Sequence, residues 1–232
     1  MPFWVRQHGN VEKRKRTELQ HPNDMGYAPH NIYFTEKNIK KVFPDPTGLK
    51  MLELGDQEIR KLDDFEYSFP EQGELVHSGW SKTYFEKQGY DHTSVDLKGL
   101  RGSEIRDLRY PEEFLDWHDT FDILTNSGTT EHVEPRDSQY ECFKIIHDVV
   151  KVGGIFIHIL PDAEQMMKYG YWKGHCNIYY TDAFFQQLAI ECGYKVIQSI
   201  VSTGNRAVAL QKTDRPFMDD RSITELLYVN LT

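Results

Sequence analysis

Two kinds of apolar pattern alternate along the chain from residue 49 onward. Four apolar runs have the length and composition of strands: LKMLELG (49–55), HTSVDLKG (92–99), FDILTNSG (121–128) and GGIFIHILP (153–161). Three further segments predict helices: SKTYFEKQGY (81–90), SQYECFKIIHDVV (138–150) and TDAFFQQLAIECGY (181–194), the last with a Thr-Asp cap at its start and a glycine at its end. Strands that alternate with helices predict a mostly parallel sheet with both faces covered.

The last two apolar runs follow a different rule. KVIQSIV (195–201) and RAVALQK (206–212) are joined only by STGN, and so short a link can only form an antiparallel hairpin. The sequence therefore predicts an α/β fold with an open, mostly parallel, Rossmann-like sheet that ends in an antiparallel hairpin, with helices on both faces.

The first 45 residues differ from the rest because they are polar and dotted with aromatic side chains, as in GYAPHNIYF. They end in FPDPTG, a run of prolines and a glycine that is typical of a domain boundary. We therefore expect a lid or cap at 1–45, a main domain at 46–213 and a C-terminal tail at 214–232. A lid would exclude water from a site and hold a bound molecule there.

Charge and cysteine content narrow the class of protein. The chain has 232 residues, enough for one sizeable domain, and its net charge of −9 disfavours a nucleic-acid partner. The basic stretch EKRKR (12–16) is the local exception, and we interpret it as a solvated helix face or terminal arm. No run approaches the roughly 18 apolar residues of a membrane span. The cysteines at 142, 176 and 192 are widely spaced, which predicts reduced thiols in the cytoplasm, with no disulfide frame and no metal site.

Candidate chemistry lies where the predicted strands end. In open α/β sheets, ligands bind beyond the carboxyl ends of the strands. Acidic residues occur there after the first two strands, Glu53 and Asp56 around Gly55 and then Asp96. A carboxylate such as Asp96 can accept two hydrogen bonds from a ribose diol, and Asp107 could accept one from an adenine amino group.

These motifs together resemble the class I S-adenosylmethionine-dependent methyltransferases. ELGDQE keeps the acid and first glycine of that family's first motif and lacks its two later glycines, while FDILTN, VKVGGIFIH and the closing hairpin match its later elements. The resemblance covers residues 46–213 and implies S-adenosylmethionine as cofactor. It implies a set of cofactor-binding residues: Glu53, Gly55, Asp56, Gln57, Asp96, Leu97, Asp107, Leu108, Asn126 and Ser127.

The acidic turn GDQE distinguishes between two cofactor chemistries. A dinucleotide needs several glycines so that its pyrophosphate can approach the backbone, whereas S-adenosylmethionine has a sulfonium cation and no phosphate. An acidic turn with a single glycine suits the cation and would repel a pyrophosphate. Asp96 follows this turn about twice as far along the chain as the ~20 residues usual for such a unit, and residues 60–80 are predicted to be an inserted loop.

The acceptor half of the site is predicted from two later segments. TTEHVEP (129–135) directly follows the third strand, and its His132 is suited to take a proton, with Glu131 beside it to orient it or meet the sulfonium. The alternative is that this segment merely starts a helix. The aromatic loop at 169–181 and the strand before it contain the predicted substrate contacts: Tyr171, His175, Asn177 and His158. The alternatives are that the loop is an ordinary packed loop and that His158 is a core histidine.

The predicted function is methyl transfer from S-adenosylmethionine to a small-molecule or glycoconjugate acceptor, in a sugar, polysaccharide or secondary-metabolite pathway. The tetrad at 126–129 lacks the prolines that nucleic-acid amino methyltransferases carry at this place. Two alternatives remain open: a non-catalytic methyltransferase-like subunit that has lost the donor, and an NAD-dependent oxidoreductase, which the acidic turn and the terminal hairpin disfavour.

Overall fold

The computed structural model describes residues 26–59 and 79–230. The basic stretch at 12–16 and nearly all of the predicted insertion at 60–80 lie outside the described residues. So do the first 25 residues of the predicted lid and the last two of the predicted tail.

Ten strands and five α-helices lie within the described residues. The strands are β1 (Lys50–Leu54), β2 (Glu58–Ile59), β3 (Gly79–Trp80), β4 (Asp91–Val95), β5 (Phe121–Ser127), β6 (Val150–Pro161), β7 (Ile178–Tyr179), β8 (Lys195–Ser202), β9 (Asn205–Gln211) and β10 (Tyr228–Val229). The α-helices are α1 (Pro29–Val42), α2 (Ser81–Lys87), α3 (Ser138–Val149), α4 (Ala163–Tyr169) and α5 (Asp182–Glu191). Short 3₁₀ helices cover Leu100–Gly102, Pro111–Trp117, Thr130–His132 and Arg221–Leu226.

Six of the strands form one sheet in the spatial order β4-β1-β5-β6-β9-β8. β1 pairs in parallel with β4 and β5, and β5 pairs in parallel with β6. β9 lies antiparallel to both β6 and β8, so the sheet ends in a hairpin. The predicted mostly parallel sheet with an antiparallel end is confirmed. The pairs β2–β3 and β7–β10 were not predicted, because strands of two residues leave no periodic signal.

Both faces of the sheet are buried, because successive side chains of a strand point to opposite faces. Leu52 and Leu124 join a cluster with apolar residues of α3 and α5. Met51 and Ile123 join a second cluster with residues of α1 and α2. Helices therefore cover both faces, as predicted.

The described part of the predicted lid packs against the sheet. Tyr27, Ile32 and Ile39 are fully buried in the same cluster as Met51. α1 therefore forms part of the layer over this face, and its action as a lid stays a prediction.

The described part of the predicted tail also packs on the main domain. Met218, Ile223 and Leu227 are buried in the cluster that contains α3 and α5. The hydroxyl of Tyr140, on α3, donates a hydrogen bond to the carbonyl oxygen of Met218 at 2.7 Å. None of the helices described is long and apolar enough to cross a bilayer.

Candidate functional site

A cleft of about 510 Å³ lies at the carboxyl ends of β1, β4 and β5. Seven of the ten predicted cofactor residues line it: Gly55, Asp56, Gln57, Asp96, Leu97, Asp107 and Leu108. Three strand ends that are separated in sequence thus meet at one edge of the sheet, as parallel pairing requires.

The turn after β1 is held to the turn after β5. Gly55 has a φ of +81°, and a Cβ there would lie 2.6 Å from both Gln57 Nε2 and Thr129 Oγ1. Gln57 Nε2 donates to Thr129 Oγ1 at 3.1 Å, and that hydroxyl donates to the carbonyl oxygen of Leu54 at 2.7 Å. Position 55 therefore needs glycine for both its conformation and its close neighbours.

Glu53 lies behind this turn, away from the cleft wall. Its Oε1 accepts hydrogen bonds from Ser81 Oγ at 2.6 Å and from the backbone N–H of Gln57 at 3.3 Å. Its side chain is 1% exposed, and His92 Nε2 lies 3.7 Å from Oε2. The carboxylate thus joins the β1 turn to the first residue of α2, and its contact with a cofactor stays a prediction.

Asp56 forms an ion pair across the mouth of the cleft. Arg101 Nη2 lies 2.6 Å from Asp56 Oδ2, and the Arg101 guanidinium lies 3.7 Å from the centroid of the Trp80 ring. The sequence interpretation missed Arg101 and Trp80. Their only local signal is the KGLRGS segment, where Arg101 has a left-handed φ of 52° between two glycines.

β4 ends at Val95, ahead of the predicted end at 99, because Asp96 turns the chain. Its backbone N–H donates to the carbonyl oxygen of Glu104 at 3.0 Å, and its Oδ1 accepts from the backbone N–H of Lys98 at 2.8 Å. These bonds hold the Asp96 carboxylate at the cleft. The next residue, Leu97, is 65% exposed and gives the cleft an apolar wall.

Asp107 is also on the cleft wall, but its carboxylate is already engaged. Arg109 Nε donates to Oδ1 and Oδ2 at 3.0 Å each, and these hydrogen bonds hold the pKa of Asp107 below its ordinary value. An adenine amino group would have to share or displace this partner. Leu108 beside it is buried and apolar.

The end of β5 separates the cleft from a second, much smaller cavity. Asn126 is fully buried and holds Thr130, donating to its Oγ1 at 2.9 Å and accepting from its backbone N–H at 3.3 Å, so it does not reach the cleft. Ser127 lines the small cavity, which is about 30 Å³, and Gly128 lines both spaces. The two spaces therefore share a wall at Gly128.

Glu131, His132 and His175 lie together at this wall. One side-chain donor atom from each lies within 4.8 Å of the others, and Glu131 Oε1 is 3.8 Å from His132 Nε2. The two imidazole rings meet edge to face, with centroids 5.0 Å apart. Glu131 and His175 line the small cavity, whereas His132 lines the large cleft. The sequence analysis predicted no metal site, because His175 is far from the other two residues along the chain.

Burial controls the protonation of all three side chains. It raises the pKa of Glu131 to about 8. Burial, and then the neighbouring His175, lowers the pKa of His132, and burial lowers the pKa of His175. Both imidazoles are therefore neutral at pH 7, and each has a lone pair to accept a proton or to bind a cation.

The other predicted substrate residues lie outside both spaces. His158 is 1% exposed and stacks on Phe143, and burial lowers its pKa to about 3, so it is a core histidine. Asn177 Nδ2 donates to Glu134 Oε1 at 3.0 Å. Tyr171 packs on the turn between β8 and β9 at Gly204. Of the predicted substrate contacts, His175 alone lines either of the two spaces described above.

Comparison with solved structures shows which known fold the chain shares. No protein-family model matches the sequence, and no curated protein matches it. The PH0226 protein of Pyrococcus horikoshii OT3 aligns over 79% of this chain and 90% of its own, with 15% identity and a TM-score of 0.52. A Listeria monocytogenes protein, provisionally assigned as an S-adenosylmethionine-dependent methyltransferase, aligns over 78% of this chain and 98% of its own, with 13% identity and a TM-score of 0.52.

A methyltransferase of the same cofactor class from Methanosarcina mazei aligns over 72% of this chain and 93% of its own, with 12% identity and a TM-score of 0.50. The chain therefore has the Rossmann-like fold of S-adenosylmethionine-dependent methyltransferases, and the resemblance read from the sequence is confirmed at the level of fold.

Proposed function

We propose that the protein transfers a methyl group from S-adenosylmethionine to a small-molecule or glycoconjugate acceptor. The observation that carries the proposal is the shared wall at Gly128. On one side is a cleft lined by the acidic turn after β1 and by Asp96, and on the other a polar cavity with a glutamate and a histidine. A donor in the cleft and an acceptor group that meets it at Gly128, where no side chain separates the two spaces, would be held next to one another.

The cleft has the size and lining that the donor needs. Its volume of about 510 Å³ falls in the range of ~300–1,000 Å³ typical of small-molecule sites. Asp96 is placed to accept hydrogen bonds from the ribose hydroxyls, and Leu97 and Leu108 offer apolar surface to the adenine. Asp56 and Arg101 are opposite charges that match the ammonium and carboxylate of the amino acid tail. When bound, the donor would supply a methyl group activated by its sulfonium.

His132 can accept a proton from the acceptor. His132 is neutral at pH 7 and its side chain is 39% exposed, so a hydroxyl or amine in the cleft could transfer a proton to its imidazole. Glu131 Oε1 is 3.8 Å from His132 Nε2 and would have to move closer to orient the imidazole by a hydrogen bond. His132→Ala should lower turnover about 10²–10⁴-fold while donor affinity changes little.

The small cavity favours an acceptor rich in hydroxyl groups. Asn31, Ser127 and Asn205 line it beside Trp172, and polar groups that converge on so small a space suit a single hydroxyl group of a sugar or polyol whose other atoms lie outside it. The net charge of −9 supports an acceptor other than a nucleic acid. All three cysteines are buried and free, which supports our proposal of a cytoplasmic location.

One observation supports the alternative of a non-catalytic subunit. The Asp107 carboxylate, which should receive the adenine amino group, is occupied by Arg109. A subunit that had lost the donor would tolerate such a pair. The NAD-dependent alternative gains no support, because the Asp56 carboxylate of the turn after β1 lines the cleft and would repel a pyrophosphate bound beside it.

Calorimetric titration with S-adenosylhomocysteine separates the three functions. We expect one site per chain, weakened about 10–100-fold in Asp96→Asn, because hydrogen bonds to a charged group are worth about 1.5–3 kcal/mol. Asp91→Asn, an exposed acid at the other end of β4, is the matched control and should bind normally. No binding of S-adenosylhomocysteine would favour the non-catalytic subunit, and binding of NAD in its place would favour the oxidoreductase.

A further inference from the structure

Two imidazoles and one carboxylate converge at the wall between the cleft and the small cavity. The donor atoms of Glu131, His132 and His175 all lie within 4.8 Å of one another. Two histidines with one glutamate form a donor set that binds Zn²⁺ and other divalent transition metals in proteins.

The buried carboxylate supplies an independent observation. Glu131 is 1% exposed, and its Oε2 is buried without a hydrogen-bond partner among the described residues. A buried carboxylate without a partner costs free energy unless a proton or a cation compensates it. The small cavity that it lines is polar and about the size of one small ligand, at about 30 Å³.

We propose that Glu131, His132 and His175 bind a divalent transition-metal ion, with Zn²⁺ as the ion that best suits the donor set. Metal–ligand distances of about 2.0–2.2 Å place bound donors roughly 3–3.5 Å apart, so donor atoms that now lie up to 4.8 Å apart must approach by about 1.5 Å. His132 and His175 are partly exposed, which leaves their rings room to turn towards Glu131.

The position of the ion indicates a role in the methyl transfer, and this role rests on the proposed function. Three protein ligands leave at least one coordination position open, and it would lie next to the cavity proposed for the acceptor. The ion would bind an oxygen of the acceptor there and lower that group's pKa. His132 would then be a ligand of the ion and would no longer be a free base.

Metal binding can be measured without knowing the acceptor. The full chain, without an affinity tag and stripped with a chelator, is titrated with Zn²⁺ by calorimetry and with Co²⁺ by visible absorption. We expect one strong site per chain and Co²⁺ bands typical of fewer than six ligands. Glu131→Gln and His175→Gln should each weaken binding roughly 100-fold or more, since loss of even an outer partner of a metal ligand costs 10–100-fold.

His118→Gln is the matched control, because His118 is 63% exposed, lies beside Asp119 and is outside the cluster. It should bind the metal normally, and circular dichroism should show that all three variants are folded. Absence of a strong site, or binding that survives both Glu131→Gln and His175→Gln, would overturn the proposal.

The donor test stays separate from the metal test. Of the three ligands, Glu131 and His175 do not line the large cleft and only His132 does, so the chelator should change the affinity for S-adenosylhomocysteine little. If the metal binds and S-adenosylhomocysteine does not, the metal site stands and the proposed function fails. If turnover persists in chelator, depends on His132 and is unaffected by His175→Gln, then His132 acts as a free base and the role proposed for the ion in the reaction is wrong.

Discussion

Thr129 Oγ1 donates a hydrogen bond to the carbonyl oxygen of Leu54 at 2.7 Å. This bond joins the end of β1 to the turn that follows β5, two segments that meet only because the strands pair in parallel. It also brings the Thr129 hydroxyl against Gly55. The edge of the sheet where we place the donor is therefore tightly packed.

Gly55→Ala should destabilise the protein and weaken binding of S-adenosylhomocysteine. The backbone strain at a φ of +81° costs about 1–3 kcal/mol, and the new methyl group would also displace Gln57 and Thr129. Chemical denaturation and calorimetry measure the two effects. Gly48→Ala is the matched control, because Gly48 has a φ of +75° and nothing within 4 Å of an added Cβ. Equal losses in the two variants would show that crowding at Gly55 is unimportant.

Removing the partner of Asp107 should not weaken donor binding. Arg109 occupies the carboxylate, so Arg109→Ala would free it for the adenine amino group, and we expect equal or tighter binding of S-adenosylhomocysteine. Asp107→Asn should weaken that binding by about tenfold, the equivalent of one hydrogen bond. Calorimetry of the two variants measures the difference. If Arg109→Ala weakened binding as much as Asp107→Asn, the arginine itself would be a cofactor contact.

Arg206 and Asp162 form a buried ion pair that should contribute strongly to stability. Arg206 Nη2 lies 2.8 Å from Asp162 Oδ2, and their side chains are 6% and 1% exposed. Asp162 Oδ1 also accepts from the backbone N–H of Gln165 at the start of α4. Asp162→Ala should lower the free energy of unfolding by about 3–5 kcal/mol, because the buried guanidinium of Arg206 would lose its buried partner and keep only the half-exposed Asp182.

Substitution of Asp182, the second carboxylate that pairs with Arg206, is the control for Asp162→Ala. Asp182 lies 2.5 Å from Arg206 Nη1, but its side chain is 45% exposed, so Asp182→Ala should cost only about 0–1 kcal/mol. Urea denaturation of both variants measures the difference. Similar losses from the two substitutions would contradict the importance of burial.

His158 and His147 should each lower the stability as the pH drops below about 6.5, whereas Glu131, whose pKa is raised to about 8, should oppose them over the same range. Burial lowers the pKa of His158 to about 3 and, as the largest cause, that of His147 to about 4. Between these values and the ordinary pKa, the unfolded chain binds protons that the folded chain does not. Each histidine should therefore cost about 2 kcal/mol of stability between pH 7 and pH 5. His158→Phe, which keeps a ring in the core, should reduce that loss measured by denaturation at both pH values. An unchanged slope would contradict the assignment.

The pattern of neighbouring residues was sufficient to predict the strands, the helices and the closing hairpin. Apolar runs, capping residues and the short STGN link predicted the strands, the helices and the hairpin. The rule that ligands bind at strand ends pointed to Gly55 and Asp96, and both residues line one cleft together with Asp107. The strands and helices could be predicted because strand ends and turns are encoded by adjacent residues, whereas the cofactor roles of these residues stay predictions.

Only the tertiary structure decided which polar groups meet. Glu53 and Asn126 are at strand ends like Asp96, but they point into the packed interior and support turns, and nothing local distinguishes these orientations. The Asp56–Arg101 pair and the approach of His175 to Glu131 join residues that are distant along the chain. Such contacts are set by strand register and loop packing, which depend on the whole core. The sequence alone therefore determined the sheet and the edge where we propose that the ligand binds. The packing of the core determined which side chains meet at that edge.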